Sequence, residues 1–180
     1  SRREFIKTTG KIAAASALAG VTLPHVYAAE DNTIRLALIG CGPRGTGAVA
    51  DAIAAEGGPV KLVAMADVFQ DKMDKSFGVL SEKFRAQVDV PRERQFLGFD
   101  AYRKAMDCLR PGDVAMLTTR SAFRPLHFEH AVEKDLNVFM EKSFAPDPGG
   151  THRIVRAGEA AEKKNLKIAC GVMCRHSTAR

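Results

Sequence analysis

The sequence has no tryptophan, two tyrosines and no run of like charge. Surfaces that grip single-stranded nucleic acid interleave aromatic and basic residues, so no nucleic-acid partner is expected despite a net charge of +6. Half of that excess falls in residues 1–28, where Arg2, Arg3, Lys7 and Lys11 stand against Glu4. Cysteine is scarce too, and four in 180 residues cannot frame a disulfide-built fold. Cys170 and Cys174 would lie about 13 Å apart in extended chain, beyond the roughly 7 Å a disulfide spans. With Cys41 and Cys108 they read as reduced packing residues. The apolar run at 12–21 is too short and alanine-rich for the roughly 20 residues of a membrane span, so no stable membrane insertion is expected. His25, His130, His152 and His176 show no metal-ligand spacing, and His130 and His152 read as helix-surface residues.

What is present is a globular mixture, 46% hydrophobic and 27% charged, with room for one domain and a leader. Residues 1–28 have the three-part layout of an export signal: a basic start, an apolar run, then Pro24 and small residues up to Ala28. Arg2-Arg3 followed by Phe5-Ile6-Lys7 resembles the twin-arginine (Tat) signal. That implies passage through the Tat translocase to a bacterial periplasm or cell envelope. An amphipathic first helix is the alternative, but Gly10, Gly20 and Pro24 would break it.

From residue 29 onward, strand and helix patterns alternate. Short apolar runs at 34–39, 60–66, 94–97, 113–118, 137–140 and 167–173 predict strands. Between them, 46–56, 70–86, 99–109, 125–134 and 149–164 predict helices; Met73, Phe77, Leu80 and Phe84 mark the apolar stripe of the second. Such alternation predicts an α/β fold, a doubly wound, mostly parallel sheet covered on both faces, over 29–176.

Gly40-Cys41-Gly42-Pro43-Arg44-Gly45 fits G-x-G-x-x-G between the first strand and the first helix, the context this dinucleotide-binding motif requires. Gly40 would make the tight turn, Gly42 would admit a pyrophosphate, and Gly45 would let the helix pack close on the strand. Pro43 suits a first helical turn, and the helix N-terminus offers N–H groups to phosphate. A glycine-rich structural turn is the bland alternative. Asp67 ends the second strand, 22 residues after Gly45, where an acid bonds the ribose hydroxyls and repels a 2′-phosphate. NAD is therefore expected over NADP, with Lys72 and Arg44 leaving some tolerance for the latter. Asp67 also suits a helix N-cap, and one residue can do both. Glu141-Lys142 ends the fifth strand at the edge where open α/β sheets bind ligands. Lys142 there can move a proton as hydride moves, or the two residues form a surface ion pair.

With Phe99-Asp100-Ala101-Tyr102-Arg103, the strand at 113–118 and His127, these motifs resemble the glucose–fructose oxidoreductase / inositol dehydrogenase family (Gfo/Idh/MocA) across about residues 33–176. The resemblance implies a Rossmann-type NAD(P)-binding domain in which Lys142 bridges cofactor ribose and substrate hydroxyl. It places Thr118, Thr119, the longer loop at 120–125 and His127 beside the cofactor, and Arg175 near its nicotinamide end. A helix-start residue and a surface salt bridge are the alternatives for His127 and Arg175. The chain departs from the family where Ser143 replaces the proline of Glu-Lys-Pro, and where Thr118-Thr119 replaces Thr-Pro. The resemblance further implies a second, α+β substrate domain that this chain lacks, with 177–180 its start, and a homo-oligomer at full length. The expected function is an exported oxidoreductase acting on a secondary alcohol of a sugar or polyol, with Lys142 and His127 as catalytic candidates. An NAD-dependent glycosidase of the same superfamily and a non-catalytic NAD-binding module are the alternatives.

Overall fold

The computed structural model describes residues 32–55 and 57–172. The leader, Cys174, Arg175, His25, His176 and 177–180 lie outside the described residues. Six strands form one parallel sheet: β1 (Ile34–Ile39), β2 (Val60–Asp67), β3 (Gln95–Leu97), β4 (Val114–Leu117), β5 (Asn137–Glu141) and β6 (Ile168–Gly171). Their order is β3-β2-β1-β4-β5-β6. The helices between them are α1 (Pro43–Ala54), α2 (Gln70–Lys83), α3 (Ala101–Met106), α4 (Arg124–Glu133) and α5 (Pro148–Lys163). This is the doubly wound Rossmann-type arrangement, with the strand order reversing between β1 and β4.

Burial on both faces explains the near-continuous apolar runs. Leu36 and Leu38 pack with Val49, Met73 and Leu80 of α1 and α2. Ala37 and Ile39 point the other way, toward Tyr102, Met106, Phe128 and Ala157 of α3, α4 and α5. The pairing of β1 with β2 slips between Leu36 and Ala37, so Leu36 meets Leu62 while Ala37 meets Ala64. That irregularity lets the neighbours Val63 and Ala64 join the same core.

The expected elements all form, with shifted ends. The first helix begins at Pro43 rather than residue 46, because proline gives up no needed N–H at the first helical position. The glycine motif therefore runs into the helix itself. The second helix ends at Lys83, not 86; Met73 and Leu80 are buried as expected, while the third fully buried position is Ser76 rather than Phe77. Ser76 accepts its place by a 2.7 Å hydrogen bond with Thr46 of α1. The third helix is shorter than expected, and the last strand stops at Gly171. Asp147 caps α5, accepting the Gly150 N–H at 2.6 Å, with Pro148 next. His130, expected on a surface, is half-buried against the Tyr102 ring edge at 5.5 Å; His152 is exposed. Among the described residues no helix is long and apolar enough to cross a membrane.

Candidate functional site

The carboxyl ends of β1, β2 and β4 open onto a cleft of about 190 Å³. Gly40, Gly42, Asp67, Thr118, Thr119 and His127 all line it. The reversal of strand order beside β1 creates this crevice, since the connections leaving β1 and β4 go to opposite faces.

The glycines divide the labour as their spacing suggests. Gly40 has φ +102°, and a Cβ there would sit 2.7 Å from the Thr119 nitrogen. A Cβ on Gly45 would meet the Gly40 carbonyl and lie 2.5 Å from Thr118 Oγ1. Only glycine lets α1 approach β1 and β4 so closely. Gly42 differs: its φ is −74°, and a Cβ would meet nothing within 4 Å among the described residues. Its open side is the cradle a pyrophosphate would fill. No side chain of the described residues caps α1 there, and its first turn has no acid. The N–H groups and the positive end of the helix dipole are thus available to an anion. Thr118 fastens the turn, donating its hydroxyl to the Gly40 carbonyl at 2.6 Å.

Asp67 does not cap α2, whose N-cap is Phe69. Its Oδ2 accepts the Cys41 N–H at 2.6 Å, and Oδ1 accepts the Phe69 N–H at 2.9 Å. The carboxylate thus sits against the glycine loop, with lone pairs left for further hydroxyl donors. Cys41 is buried beneath the loop, and burial with Asp67 nearby pushes its thiol pKa up. Such a thiol is inert packing. Cys108 and Cys170 are also free. At the cleft mouth, Val68, Phe69 and Phe99 are exposed, and the Phe99 and Phe123 rings lie 5.9 Å apart. Such exposed apolar area on one rim suits a flat ring system.

His127 lies in the first turn of α4, 5% exposed, with its ring 4.3 Å from that of Tyr102 and stacked on Phe123 at 6.2 Å. Its Nδ1 is 3.3 Å from Thr119 Oγ1. Burial first, then the charge of Arg124 and the proximity of His130, lower its pKa to about 4. The imidazole is neutral at neutral pH, able to donate from one nitrogen and accept at the other.

Glu141 and Lys142 do not pair. Glu141, 5% exposed, accepts the Arg44 Nε–H at 2.6 Å, so in place of the alternative of a Glu141–Lys142 ion pair there is a bond between strand end and glycine loop. Neighbouring strand residues point to opposite faces, and Glu141 faces α1. Lys142 is exposed at the carboxyl end of β5, outside the cleft lining. Pro43 and Arg44 are exposed on the first turn of α1.

Two residues escaped the sequence patterns. Gly171 lies against the Glu141 carboxylate, where a Cβ would be 2.7 Å from Cδ. Arg124 is 2% exposed and donates to three carbonyls, those of Thr119, Glu141 and Ser143. Nothing in apolar periodicity flags a buried arginine; its place just before Pro125 at a helix start looks like an ordinary surface charge. Among the described residues no group of three or more His, Cys, Asp or Glu side chains is placed to hold a metal ion.

No family model and no curated protein matches the chain. Solved structures do. Myo-inositol 2-dehydrogenase of Lactobacillus plantarum superposes with a TM-score of 0.62 at 20% identity, over 82% of this chain and 38% of its own. Scyllo-inositol dehydrogenase of Lactobacillus casei, solved with NAD(H) and scyllo-inositol, gives 0.59 at 24% identity, over 81% of this chain and 38% of its own. The WlbA dehydrogenase of Bordetella pertussis, in complex with NADH and UDP-GlcNAcA, gives 0.56 at 21%, over 78% and 35%. At these identities the likeness is one of fold. The chain spans little more than a third of the length of these neighbours.

Proposed function

We propose that residues 29–176 are the NAD(P)-binding domain of an oxidoreductase that moves hydride between a sugar or polyol secondary alcohol and nicotinamide, with NAD favoured. One observation carries the reading. The glycine turn, the uncapped start of α1 and the Asp67 carboxylate converge on one cleft at the switch point of the sheet. The start of α1 would hold the pyrophosphate, with Gly42 leaving it room. Asp67 would accept from the ribose hydroxyls, and the same charge would repel a 2′-phosphate. The aromatic rim of Phe69 and Phe99 would flank the adenine.

The nicotinamide, when bound, supplies the hydride acceptor. The chain's own residues would orient the substrate and handle the proton. Thr118 and Thr119 stand at the cleft beside the neutral His127. Lys142 stands at the end of β5, and from a substrate lying over the sheet edge it would take the hydroxyl proton. The sugar or polyol class is supported by the fold neighbours, which were solved with an inositol and a nucleotide sugar. Specific contacts to that substrate would come from a second domain beginning at 177–180. The layout of residues 1–28 supports export by the Tat route to a periplasm or cell envelope. A reporter fused to those residues should be exported, and Arg2→Lys with Arg3→Lys should stop it; continued export removes the Tat assignment.

Calorimetric titration of the chain with NAD and with NADP tests the cofactor reading. NAD should bind the more tightly. Equal or tighter NADP binding would remove the role given to Asp67.

A further inference from the structure

Arg124 is the largest of the fully buried side chains. Taking a guanidinium out of water is costly unless its N–H groups are satisfied. Among the described residues it forms no ion pair; its partners are backbone carbonyls, with Nη2 donating to Thr119, and Nη1 to Glu141 and Ser143. Burial lowers its pKa, and the neighbouring Glu141 charge opposes that. Its Nε is buried without a hydrogen-bond partner. A methionine or leucine would fill the same space without desolvating a charge, so packing alone does not account for an arginine here.

The identity of the three carbonyls does. Glu141 and Ser143 flank Lys142 on both sides. Thr119 belongs to the loop after β4, lines the cleft, and meets His127 through its hydroxyl. One planar, forked side chain therefore joins the two loops that carry Lys142 and Thr119. Lysine, with a single ammonium, cannot reproduce that rigid geometry. Arg124 also stands one helical turn before His127, on the same side of α4.

We propose that Arg124 is a positioning residue, whose guanidinium staples the loop after β4 to the loop after β5 and so fixes Lys142 relative to Thr119 and His127. Its role in cofactor handling rests on the dinucleotide reading of the cleft; the staple itself does not. The groups facing His127 are Arg124 and His130 from its own helix, Tyr102 from α3 and Thr119 from the loop after β4.

Amide hydrogen exchange on the 180-residue chain, with Arg124→Lys and Arg124→Met, tests this. In Arg124→Lys, amides at 119–123 and 142–144 should exchange about tenfold faster or more, together, while strands β1, β2 and β4 keep their protection. In Arg124→Met the NMR titration midpoint of His127 should also rise from about 4, by about one unit, because a like charge has gone; Arg124→Lys should leave it low. NADH affinity should fall about tenfold in Arg124→Lys, the size of one lost positioning contact of about 1.4 kcal/mol. Uniform acceleration across the strands, loosening of one loop alone, or no change in either loop overturns the staple. Loosened loops with unchanged NADH affinity overturn the positioning role. A wild type that binds no NADH while the variant loops still loosen overturns the dinucleotide reading and keeps the staple. Arg124→Lys retains the charge, so the test stands even where Arg124→Met does not fold.

Discussion

Arg44 and Glu141, 97 residues apart, are joined by a 2.6 Å hydrogen bond from Nε to Oε1. The arginine lies in the glycine motif at the start of α1; the glutamate is the last residue of β5, next to Lys142. The arginine side chain is 56% exposed and the glutamate 6%. The bond therefore gives a buried carboxylate its partner rather than decorating the surface. Gly171 closes over the same carboxylate from β6.

Removing one partner should show that asymmetry. Arg44→Met leaves a buried charged acceptor unsatisfied and should cost about 1–3 kcal/mol, limited by the exposure of the arginine. Glu141→Gln keeps an acceptor for Arg44 and should cost less than Arg44→Met. Urea unfolding of both variants checks the order.

Gly42 and Gly45 should separate folding from binding. In Gly45→Ala the new methyl meets the Gly40 carbonyl, which cannot move without opening the turn; a loss of about 3 kcal/mol is expected. In Gly42→Ala the methyl meets open space at an ordinary φ. That variant should unfold within about 0.5 kcal/mol of wild type, yet bind NADH at least about tenfold more weakly, the methyl standing where the pyrophosphate approaches. Thermal unfolding and calorimetry on the pair decide it.

His127 makes stability depend on pH in one direction. Its pKa is about 4 in the folded chain against an ordinary 6.5. Above pH 6.5 neither state is protonated and nothing is lost. As the pH falls from 6.5 to about 4, the unfolded chain takes up the proton first, so stability falls by up to about 3 kcal/mol. His130 shifts the same way through burial and the nearby Arg103. His127→Gln should give a visibly flatter profile of unfolding midpoint against pH over that interval.

Lys142→Met tests the proton-transfer role proposed for Lys142, in an active enzyme in which this domain is joined to a substrate domain. Loss of a proton-transfer group of this kind costs about 10²–10⁴-fold in rate. The variant should lose kcat on that scale and keep NAD affinity within several-fold. Near-full turnover would reduce Lys142 to a bystander; collapsed NAD binding would make it a cofactor ligand and move the proton to His127.

The fold was legible because strands buried on both faces read as continuous apolar runs, and Gly40-Cys41-Gly42-Pro43-Arg44-Gly45 announces its own turn. Pro43, suited to a first helical turn, marks the helix start better than the alanine-rich run from residue 46. The partner of Glu141 is not legible, because adjacency in sequence suggests Lys142 while alternation along the strand turns Glu141 toward Arg44 of α1. The resemblance covers Arg124 only as part of the loop at 120–125; its burial and its partners are not legible, since those partners are three backbone carbonyls, which carry no mark in sequence. The slip between Leu36 and Ala37 was equally hidden, because a run of apolar residues fits either register.

In the proposed function, the cleft over β1, β2 and β4 holds a dinucleotide with its phosphates at the start of α1. Titration of the 15N-labelled chain with NADH, followed amide by amide, tests it most directly. Saturable shifts should centre on Gly40, Cys41, Gly42, Gly45, Asp67, Thr118 and Thr119, with NADPH needing higher concentration to produce them. No saturable shift, or shifts that spare the glycine loop, would show that no dinucleotide is held there.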